Sequence, residues 1–204
     1  MPVWLFVALL ACLAAAGALA IGLLKERRRA KRAESRALTD PLTGLANRLR
    51  FEVTATNFWA SAERFGRPLG VLVLDLDGFK HLNDTSGHAA GDRLLREVAA
   101  ALTSRVRRTD LVARLGGDEF AVLAPETPPE GLLQLATSFE AAIEALPVGV
   151  SVGWALREPG DLGLDDVLAR ADAAMYQRKR QRALTWSISR SQPTVQLSPD
   201  ASVT

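Results

Sequence analysis

The chain contains 204 residues, of which 48% are hydrophobic and 24% are charged, with a formal net charge of +2. This length accommodates one domain of ordinary size beside an apolar N-terminal segment. The low net charge gives no global basic field to attract nucleic acid, and the single cysteine, Cys12, excludes an internal disulfide framework.

The N-terminus is apolar, because residues 2–24 carry no ionisable side chain other than that of Cys12. A helix over this segment spans about 34 Å, which exceeds the roughly 30 Å hydrocarbon core of a bilayer. The basic cluster KERRRAKR follows at residues 25–32, and the positive-inside rule then places the rest of the chain in the cytoplasm. We therefore predict a transmembrane helix over residues 1–24 and a basic juxtamembrane linker helix over residues 25–38.

A cleaved signal peptide is the alternative interpretation, because Ala18-Leu19-Ala20 resembles a cleavage site. Signal peptides usually carry their positive charge before a shorter apolar region. Here the charge follows a long apolar region, so the sequence favours the anchor.

Beyond the linker, helix and strand patterns alternate. Thr39 or Asp40 followed by Pro41 is typical of a helix N-cap. Apolar residues at three- and four-residue spacing predict helices, and short apolar runs predict buried strands, two of them flanking a Gly-Gly hairpin. Helices are predicted over residues 47–64, 91–106, 131–146 and 164–180, and strands over residues 69–74, 111–115, 120–124 and 148–155. This order predicts an α/β (α+β) sandwich with mixed strand directions over residues 39–183, and a disordered tail over residues 184–204.

Three carboxylates follow apolar strands. Asp75 comes directly after the first predicted strand, and Asp118 and Glu119 lie at the tip of the hairpin. If strand and hairpin are neighbours in one sheet, these like charges converge and resist ionisation unless a cation compensates them. Carboxylates and substrate phosphates together form a typical Mg²⁺ site. A plain hairpin and a solvated strand end are the alternative for each motif alone, but the combination favours a metal site.

Six segments resemble motifs of one enzyme family, in the family's order and at ordinary spacing. They are Asp40-Pro-Leu-Thr-Gly-Leu-Ala-Asn-Arg48, Asp75-Leu-Asp-Gly-Phe-Lys80, Asn83-Asp-Thr-Ser-Gly-His-Ala-Ala-Gly-Asp92, Arg114-Leu-Gly-Gly-Asp-Glu-Phe120, Val150-Ser-Val-Gly153 and Ala171-Asp-Ala-Ala-Met-Tyr176. Over residues 38–182 the chain resembles the bacterial GGDEF-domain diguanylate cyclases. The resemblance implies a palm-like βαββαβ nucleotide-cyclase fold. It also implies an enzyme that condenses two GTP into cyclic di-GMP and releases two pyrophosphates.

The resemblance assigns roles to individual residues. Side-chain oxygens of Asp75 and Asp118 and the main-chain carbonyl of Leu76 are expected to bind Mg²⁺ or Mn²⁺. Glu119 either assists metal binding or deprotonates the ribose 3′-hydroxyl, and the choice of base between Asp118 and Glu119 stays open. The expected nucleotide contacts are Asn83 and Asp92 at guanine, Phe79 and the charge-neutralising Lys80 and Lys179 at the triphosphate, and His88, for which a plain loop histidine is the alternative.

Further expectations follow from the same resemblance. Two copies of the domain form the catalytic homodimer at the inner membrane, because one domain holds one GTP. Arg107 and Asp110 match the family's R-x-x-D site for inhibitory product, with Arg114 as an added contact. Asp77 is expected to cap the short helix after it, whereas Asn47 and Arg48 are expected to be structural.

The sequence departs from the family in two places. Arg182 and Ala183 stand where glycine and arginine are frequent in the family. The phosphate contact of that arginine is therefore expected to come from Arg182, one position earlier. Trp154 stands where a small aliphatic residue is usual. The alternative functions are an inactive cyclic di-GMP receptor, a cyclase for ATP and a membrane-tethered scaffold. The intact signature argues against the receptor, and Asp92 argues for guanine because adenine has no N2 donor.

Overall fold

A computed structural model describes residues 21–22, 25–26 and 37–191. From residue 37 the elements run in the order α1 (Arg48–Phe65), β1 (Leu69–Asp77), α2 (Phe79–Ser86), α3 (His88–Thr103), β2 (Leu111–Gly116), β3 (Glu119–Pro125), α4 (Pro129–Ile143), β4 (Gly149–Leu156) and α5 (Leu164–Ser191). None of the helices in these ranges is long and apolar enough to cross a membrane. The predicted membrane segment lies outside the described residues except for positions 21–22, and residues 27–36 of the predicted linker lie outside them too.

The four strands form one sheet in the order β2-β3-β1-β4. Its β-α-β-β-α-β sequence of elements, with two helices between β1 and β2, confirms the predicted fold class. The prediction of mixed strand directions was wrong, because every neighbouring pair of strands is antiparallel. Strands that run in the same direction are not neighbours, because β3 separates β1 from β2 and β1 separates β3 from β4.

Helices cover both faces of the sheet, and β1 is buried on both sides. Its even-numbered leucines, Leu72, Leu74 and Leu76, pack in one cluster with side chains of α3 and α4. Its alternate residues Val71 and Val73 pack in a second cluster with side chains of α1 and α5. A strand covered on both faces is apolar throughout, which explains the continuous hydrophobic run in the sequence.

The helix predicted over residues 47–64 is confirmed as α1, but the helix start predicted at Asp40-Pro41 is wrong. Asp40 instead closes a turn, because its Oδ1 accepts hydrogen bonds from the amide (2.9 Å) and hydroxyl (2.6 Å) of Thr43. The N-cap of α1 is Asn47, whose side chain accepts from the amide of Arg50 at 3.0 Å. An aspartate before proline fits a turn as well as a helix start, so the local pattern was ambiguous.

The last helix, α5, extends to Ser191, beyond the predicted end at residue 180, so residues 184–191 of the predicted disordered tail are helical. The polar composition of this segment suggested disorder, but proline first appears at position 193, and glycine is absent from the segment. Residues 192–204 of the predicted tail lie outside the described residues.

An ion pair at its start orients α5 against the sheet. The guanidinium of Arg170 donates to both carboxylate oxygens of Asp161 (2.5 and 2.8 Å) and to the carbonyl of Leu156 at 2.7 Å. The hydrogen bonds from Arg170 hold the pKa of Asp161 below its ordinary value. Asp161 precedes α5 and Leu156 ends β4, so this contact fixes the direction in which α5 leaves the edge strand.

Candidate functional site

The acidic residues of β1 and the hairpin lie at the same end of the sheet. Asp75 pairs with Glu119 in the antiparallel register of β1 and β3. The amide of Leu76 donates to the carbonyl of Asp118 at 3.3 Å. Asp75 lies inside β1, not after it as predicted, because the strand continues to Asp77. Strand and hairpin are therefore neighbours, which was the condition for a shared cation site.

The hairpin tip is held by Arg114. Its Nε and Nη2 atoms donate to the carbonyl of Gly117 at 3.0 and 2.7 Å, and its Nη1 atom lies 3.2 Å from the carboxylate of Asp40. Burial raises the pKa of Asp40, but the hydrogen bonds of Thr43 and the charge of Arg114 outweigh it and hold that pKa below its ordinary value. Asp40 therefore stays ionised, and the turn before α1 is tied to the peptide that precedes Asp118.

This arrangement corrects the assignment of Arg114 to the product site. Arg114 pairs with Phe120 near the hairpin tip, whereas Arg107 and Asp110 precede the opposite end of β2. Its guanidinium is engaged with Gly117 and Asp40, and its side chain is only 13% exposed. Sequence reasoning missed this role because the partner carboxylate is 74 residues away along the chain.

Lys179 reaches the acidic end of β1 from α5. Its Nζ atom lies 2.5 Å from Oδ1 of Asp75, whose side chain is 15% exposed. Burial alone lowers the pKa of Lys179, but the hydrogen bond and charge of Asp75, together with the charges of Asp77 and Asp118, raise it above its ordinary value. The ammonium therefore stays protonated among three carboxylates.

Asp77 does not cap α2 as predicted. It still belongs to β1, so its side chain projects to the same face as that of Asp75, and both its oxygens accept from the Ser151 hydroxyl at 2.9 and 3.0 Å. Burial raises the pKa of Asp77, although Ser151 and Arg182 act in the opposite direction. Arg182 lies 3.8 Å from Asp77, so the residue that was expected to contact phosphate pairs with this carboxylate.

Ser151 and the Asp77–Arg182 pair were missed by sequence reasoning. The signal for Ser151 was a hydroxyl within an apolar strand, and the residue is fully buried. A buried polar group needs a partner, which the sequence alone did not identify.

Glu119 faces a different neighbour from the one predicted. Its carboxylate lies 3.7 Å from Nη2 of Arg48, which also donates through Nε to the carbonyl of Leu115 at 3.2 Å. Both residues line an open groove of about 620 Å³ between α1 and α5 that includes none of the predicted nucleotide contacts. Glu119 is still the cross-strand partner of Asp75, so its expected roles at the metal and as a base stay predictions beside this contact with Arg48.

The predicted guanine-binding segment forms α2 and the start of α3. Asn83 on α2 lies against Gly91 on α3, where an added Cβ would be 2.0 Å from Oδ1 of Asn83. This oxygen is buried, and no hydrogen-bond partner for it is found in the described part of the chain. Asp92 is exposed next to Gly91, and Phe79 also contacts the position of that Cβ. The structure thus brings Phe79 and Asn83 together at Gly91, and the predicted guanine contact Asp92 is the next residue of α3.

Lys80 and His88 are exposed at the beginnings of α2 and α3. Helix α2 begins close to the acidic end of β1, because a single residue separates the two elements. The expected contact of Lys80 with phosphate and the two interpretations of His88 stay predictions.

Replacement of Gly91 by alanine tests the contact between α2 and α3. The new methyl group displaces the side chain of Asn83, so we expect the dissociation constant for GTP to rise about tenfold, as for the loss of one hydrogen bond. The melting temperature should not fall, since alanine stabilises a helix interior by up to about 1 kcal/mol relative to glycine. Binding of a non-hydrolysable GTP analogue, measured by calorimetry, checks this.

Asn83→Ala is the matched control for this substitution. If Gly91→Ala acts through Asn83, the double variant should bind no more weakly than Asn83→Ala alone. Additive losses of GTP affinity would mean that Gly91→Ala acts through a group other than Asn83.

Arg107 and Asp110 form a closed turn at the other end of the hairpin. The amide of Arg107 donates to the carboxylate of Asp110 at 2.8 Å, and the amide of Asp110 donates to the carbonyl of Arg107 at 3.1 Å. Both residues line a groove of about 250 Å³, together with Arg105, Thr127, Gly131, Gln134, Leu135 and Ser138. The exposed guanidinium of Arg107 beside this groove suits an anionic ligand. The groove lies at the opposite end of the hairpin from the metal-site acids.

The donor set at the acidic end fits a hard divalent cation. Among the described residues, no group of three or more His, Cys, Asp or Glu side chains is arranged to hold a metal ion. Mg²⁺ usually binds proteins through only one or two carboxylates and completes its shell with water and substrate phosphates. Two aspartates beside a peptide carbonyl match that requirement, and Ca²⁺, which takes six to eight oxygens, fits them less well.

Comparison with known proteins agrees with the geometry. Residues 37–184 match the family described as diguanylate cyclase, GGDEF domain. The chain is 42% identical over 154 residues to diguanylate cyclase DgcP of Pseudomonas aeruginosa, covering 71% of this chain and 23% of DgcP. It is 38% identical over 155 residues to the response regulator PleD of Caulobacter vibrioides, covering 70% of this chain and 34% of PleD. The chain thus spans about a third or less of the length of these relatives.

A solved structure shows the same fold. The coiled coil and GGDEF domain of DgcB from Caulobacter crescentus, in complex with c-di-GMP, aligns with a TM-score of 0.75 at 34% identity. The alignment covers 85% of this chain and 95% of the DgcB chain. Because the family match includes the sheet, both helical layers and the acidic strand end, the chain belongs to the GGDEF-domain diguanylate cyclase family.

Proposed function

We propose that this protein is a diguanylate cyclase that condenses two GTP into cyclic di-GMP and releases two pyrophosphates. The observation that carries the proposal is the adjacency of Asp75 and Asp118, linked through the hydrogen bond from Leu76 to the hairpin. The contact between Asn83 and Gly91 supports a nucleotide site beside them. Two relatives also support it: DgcP is named a diguanylate cyclase, and the DgcB structure is a complex with c-di-GMP.

In the proposed reaction each ribose 3′-hydroxyl attacks the α-phosphate of the other GTP. The new bond joins this oxygen to phosphorus, the hydroxyl proton passes to a carboxylate, for which Asp118 and Glu119 are the candidates, and the bond from phosphorus to pyrophosphate breaks. Mg²⁺ or Mn²⁺ bound by Asp75, Asp118 and the Leu76 carbonyl would lower the pKa of the hydroxyl and offset charge on the phosphoryl oxygens. Lys80 and Lys179 hold positive charge near the triphosphate.

Recognition of guanine rests on Asn83 and Asp92. Guanine presents N1–H and N2–H₂ as adjacent donors, which a carboxylate accepts together, whereas adenine has no N2 donor. Asp92 is exposed and free to meet a ligand from solvent. This difference favours GTP over ATP.

The proposal requires two copies of the chain. The two 3′-hydroxyls attack in opposite directions, and one domain presents one set of site residues. Two facing domains therefore complete the reaction, and confinement to a membrane would raise the effective concentration of the partner.

A turnover assay of the full chain in detergent tests this function. With Mg²⁺ and GTP, cyclic di-GMP formed per protein should rise with protein concentration until the dimer saturates. A flat specific activity would count against the dimer. Absence of product at high concentration, with cyclic di-GMP still bound, would favour the receptor, and equal turnover of ATP would contradict guanine selection.

We also propose that cyclic di-GMP inhibits the enzyme at the groove of Arg107 and Asp110. Arg107→Ala removes a charge-assisted hydrogen bond of roughly 1.5–3 kcal/mol, so the inhibition constant should rise at least about tenfold. Arg108→Ala is the control, because Arg108 is exposed but does not line the groove. Unchanged inhibition in Arg107→Ala would remove this site from the proposal.

The membrane location is a further part of the proposal, and it rests on the apolar run of residues 2–24 and the basic cluster after it. The full chain should sediment with inner membranes and need detergent for release. A chain that lacks residues 1–24 should not sediment with them. Release of the full chain by high salt alone would argue against a spanning helix.

A further inference from the structure

Lys179 occupies the position of a counter-ion at the predicted metal site. Its ammonium lies 2.5 Å from Asp75, and the charges of Asp77 and Asp118 act on it as well. Three carboxylates at one sheet end repel one another, and this ammonium lowers the repulsion when no substrate is bound. A divalent ion would need the same oxygen of Asp75 that Lys179 holds.

We propose that Lys179 couples the binding of the divalent cation to the binding of the nucleotide. In the free protein Lys179 holds Asp75 and opposes the cation by charge repulsion. When a triphosphate arrives, its oxygens attract the ammonium, and Asp75 becomes available to the cation that the same phosphates help to bind. This inference rests on the proposed function, because it requires a nucleotide triphosphate at this site.

The contacts around Lys179 allow its side chain to move while α5 stays in place. Arg178, the preceding residue, is paired with Glu140 of α4 at 2.7 Å. Arg182, one turn further along α5, lies 3.8 Å from Asp77. The Lys179 side chain is 44% exposed and has a flexible four-carbon stem. These neighbouring ion pairs hold the helix on the sheet, so that only the lysine must exchange partners.

Coupling of this kind is reciprocal. If nucleotide raises the affinity for the cation by a given factor, the cation raises the affinity for nucleotide by the same factor. The free protein would then bind divalent ions weakly, and the cation would enter together with substrate. Removal of the charge on Lys179 should strengthen binding of the cation in the absence of nucleotide and weaken the coupling.

The test measures Mn²⁺ binding to the full chain in detergent by electron paramagnetic resonance. It is done with and without the α,β-methylene analogue of GTP. For the original chain the analogue should tighten Mn²⁺ binding by about tenfold or more, within the usual range of coupling between two sites. Lys179→Met should bind Mn²⁺ about tenfold more tightly than the original chain without analogue, and the analogue should then add about threefold or less.

Two further variants make the result decisive. Lys179→Gln keeps a hydrogen-bond donor for Asp75 but no charge, so its Mn²⁺ affinity and coupling should match those of Lys179→Met. It replaces Lys179→Met in the test if the methionine variant unfolds. Arg180→Met removes a neighbouring exposed charge of α5 that belongs to neither of the two ion pairs named above, and it should leave Mn²⁺ affinity and coupling unchanged. Equal Mn²⁺ affinity of the original chain and both Lys179 variants without nucleotide would overturn the inference. Failure of every chain to bind Mn²⁺ even with the analogue would overturn the proposed function as well.

Discussion

Asp118→Asn is expected to lower GTP turnover by roughly 10³-fold, since charge stabilisation by one preorganised group in a transition state is typically worth 10²–10³. The carboxylate lies at the hairpin tip, next to Leu76 and in line with the acidic end of β1. The amide keeps the shape of the side chain but removes the charge that holds a divalent ion. The hydrogen bond from Leu76 goes to the main-chain carbonyl of residue 118, so the substitution leaves the hairpin intact.

The measurement is cyclic di-GMP formed by the full chain with Mg²⁺, together with its melting temperature. Asp172→Asn is the matched control, because Asp172 is an exposed aspartate of α5 that lines the groove beside Arg48. It should keep nearly full turnover. Substantial turnover by Asp118→Asn would remove Asp118 from the site and with it the shared cation.

The strands and the hairpin could be predicted because their signals are local. The run from Leu69 to Leu74 is apolar on both faces, and such a run in a chain of alternating helices is typical of a central strand. The Gly116-Gly117 pair between two apolar runs is typical of a hairpin. The acids beside them could therefore be placed at strand ends, and their convergence depended on strand and hairpin being neighbours, which the pairing of β1 with β3 supplies.

The ionic contacts could not be predicted, because their partners are far apart in the sequence. Asp40 and Arg114 are 74 residues apart, and Asp75 and Lys179 are 104 apart. No local pattern distinguishes an arginine that holds a hairpin from one that meets a ligand. The side chain of Asp77 projects to the same face as that of Asp75 because β1 continues to Asp77, and the sequence did not show that the strand extends so far.

Trp154, which had no explanation from sequence, has a place in the packing. It pairs with Leu72 across β1 and β4, and it packs half-buried on the cluster covered by α3 and α4. Its neighbour Gly153 faces the other side of the sheet, where α5 lies against β4. Gly153 and Trp154 are therefore consecutive residues of this edge strand that face opposite sides of the sheet.

Gly153→Ala is expected to lower the free energy of unfolding by about 3 kcal/mol or more, at the upper end of the usual range for overpacking. A methyl group at this position would lie 2.0 Å from the carbonyl oxygen of Ala171 and 2.2 Å from the amide nitrogen of Met175. Both atoms belong to the backbone of α5, so no side-chain rotation relieves the contact. The helix must move away from β4, which weakens the second apolar cluster around Ala171.

Chemical denaturation of the full chain in detergent measures this effect, and Gly160→Ala is the control. Position 160 lies in the loop after β4, and an added Cβ there would meet no atom within 4 Å. Its free energy of unfolding should change by less than about 1 kcal/mol. Because Lys179 lies one turn beyond Met175, displacement of α5 in Gly153→Ala should also separate Lys179 from Asp75 and lower turnover together with stability. Equal stability of the two variants would mean that α5 does not need its close contact with β4.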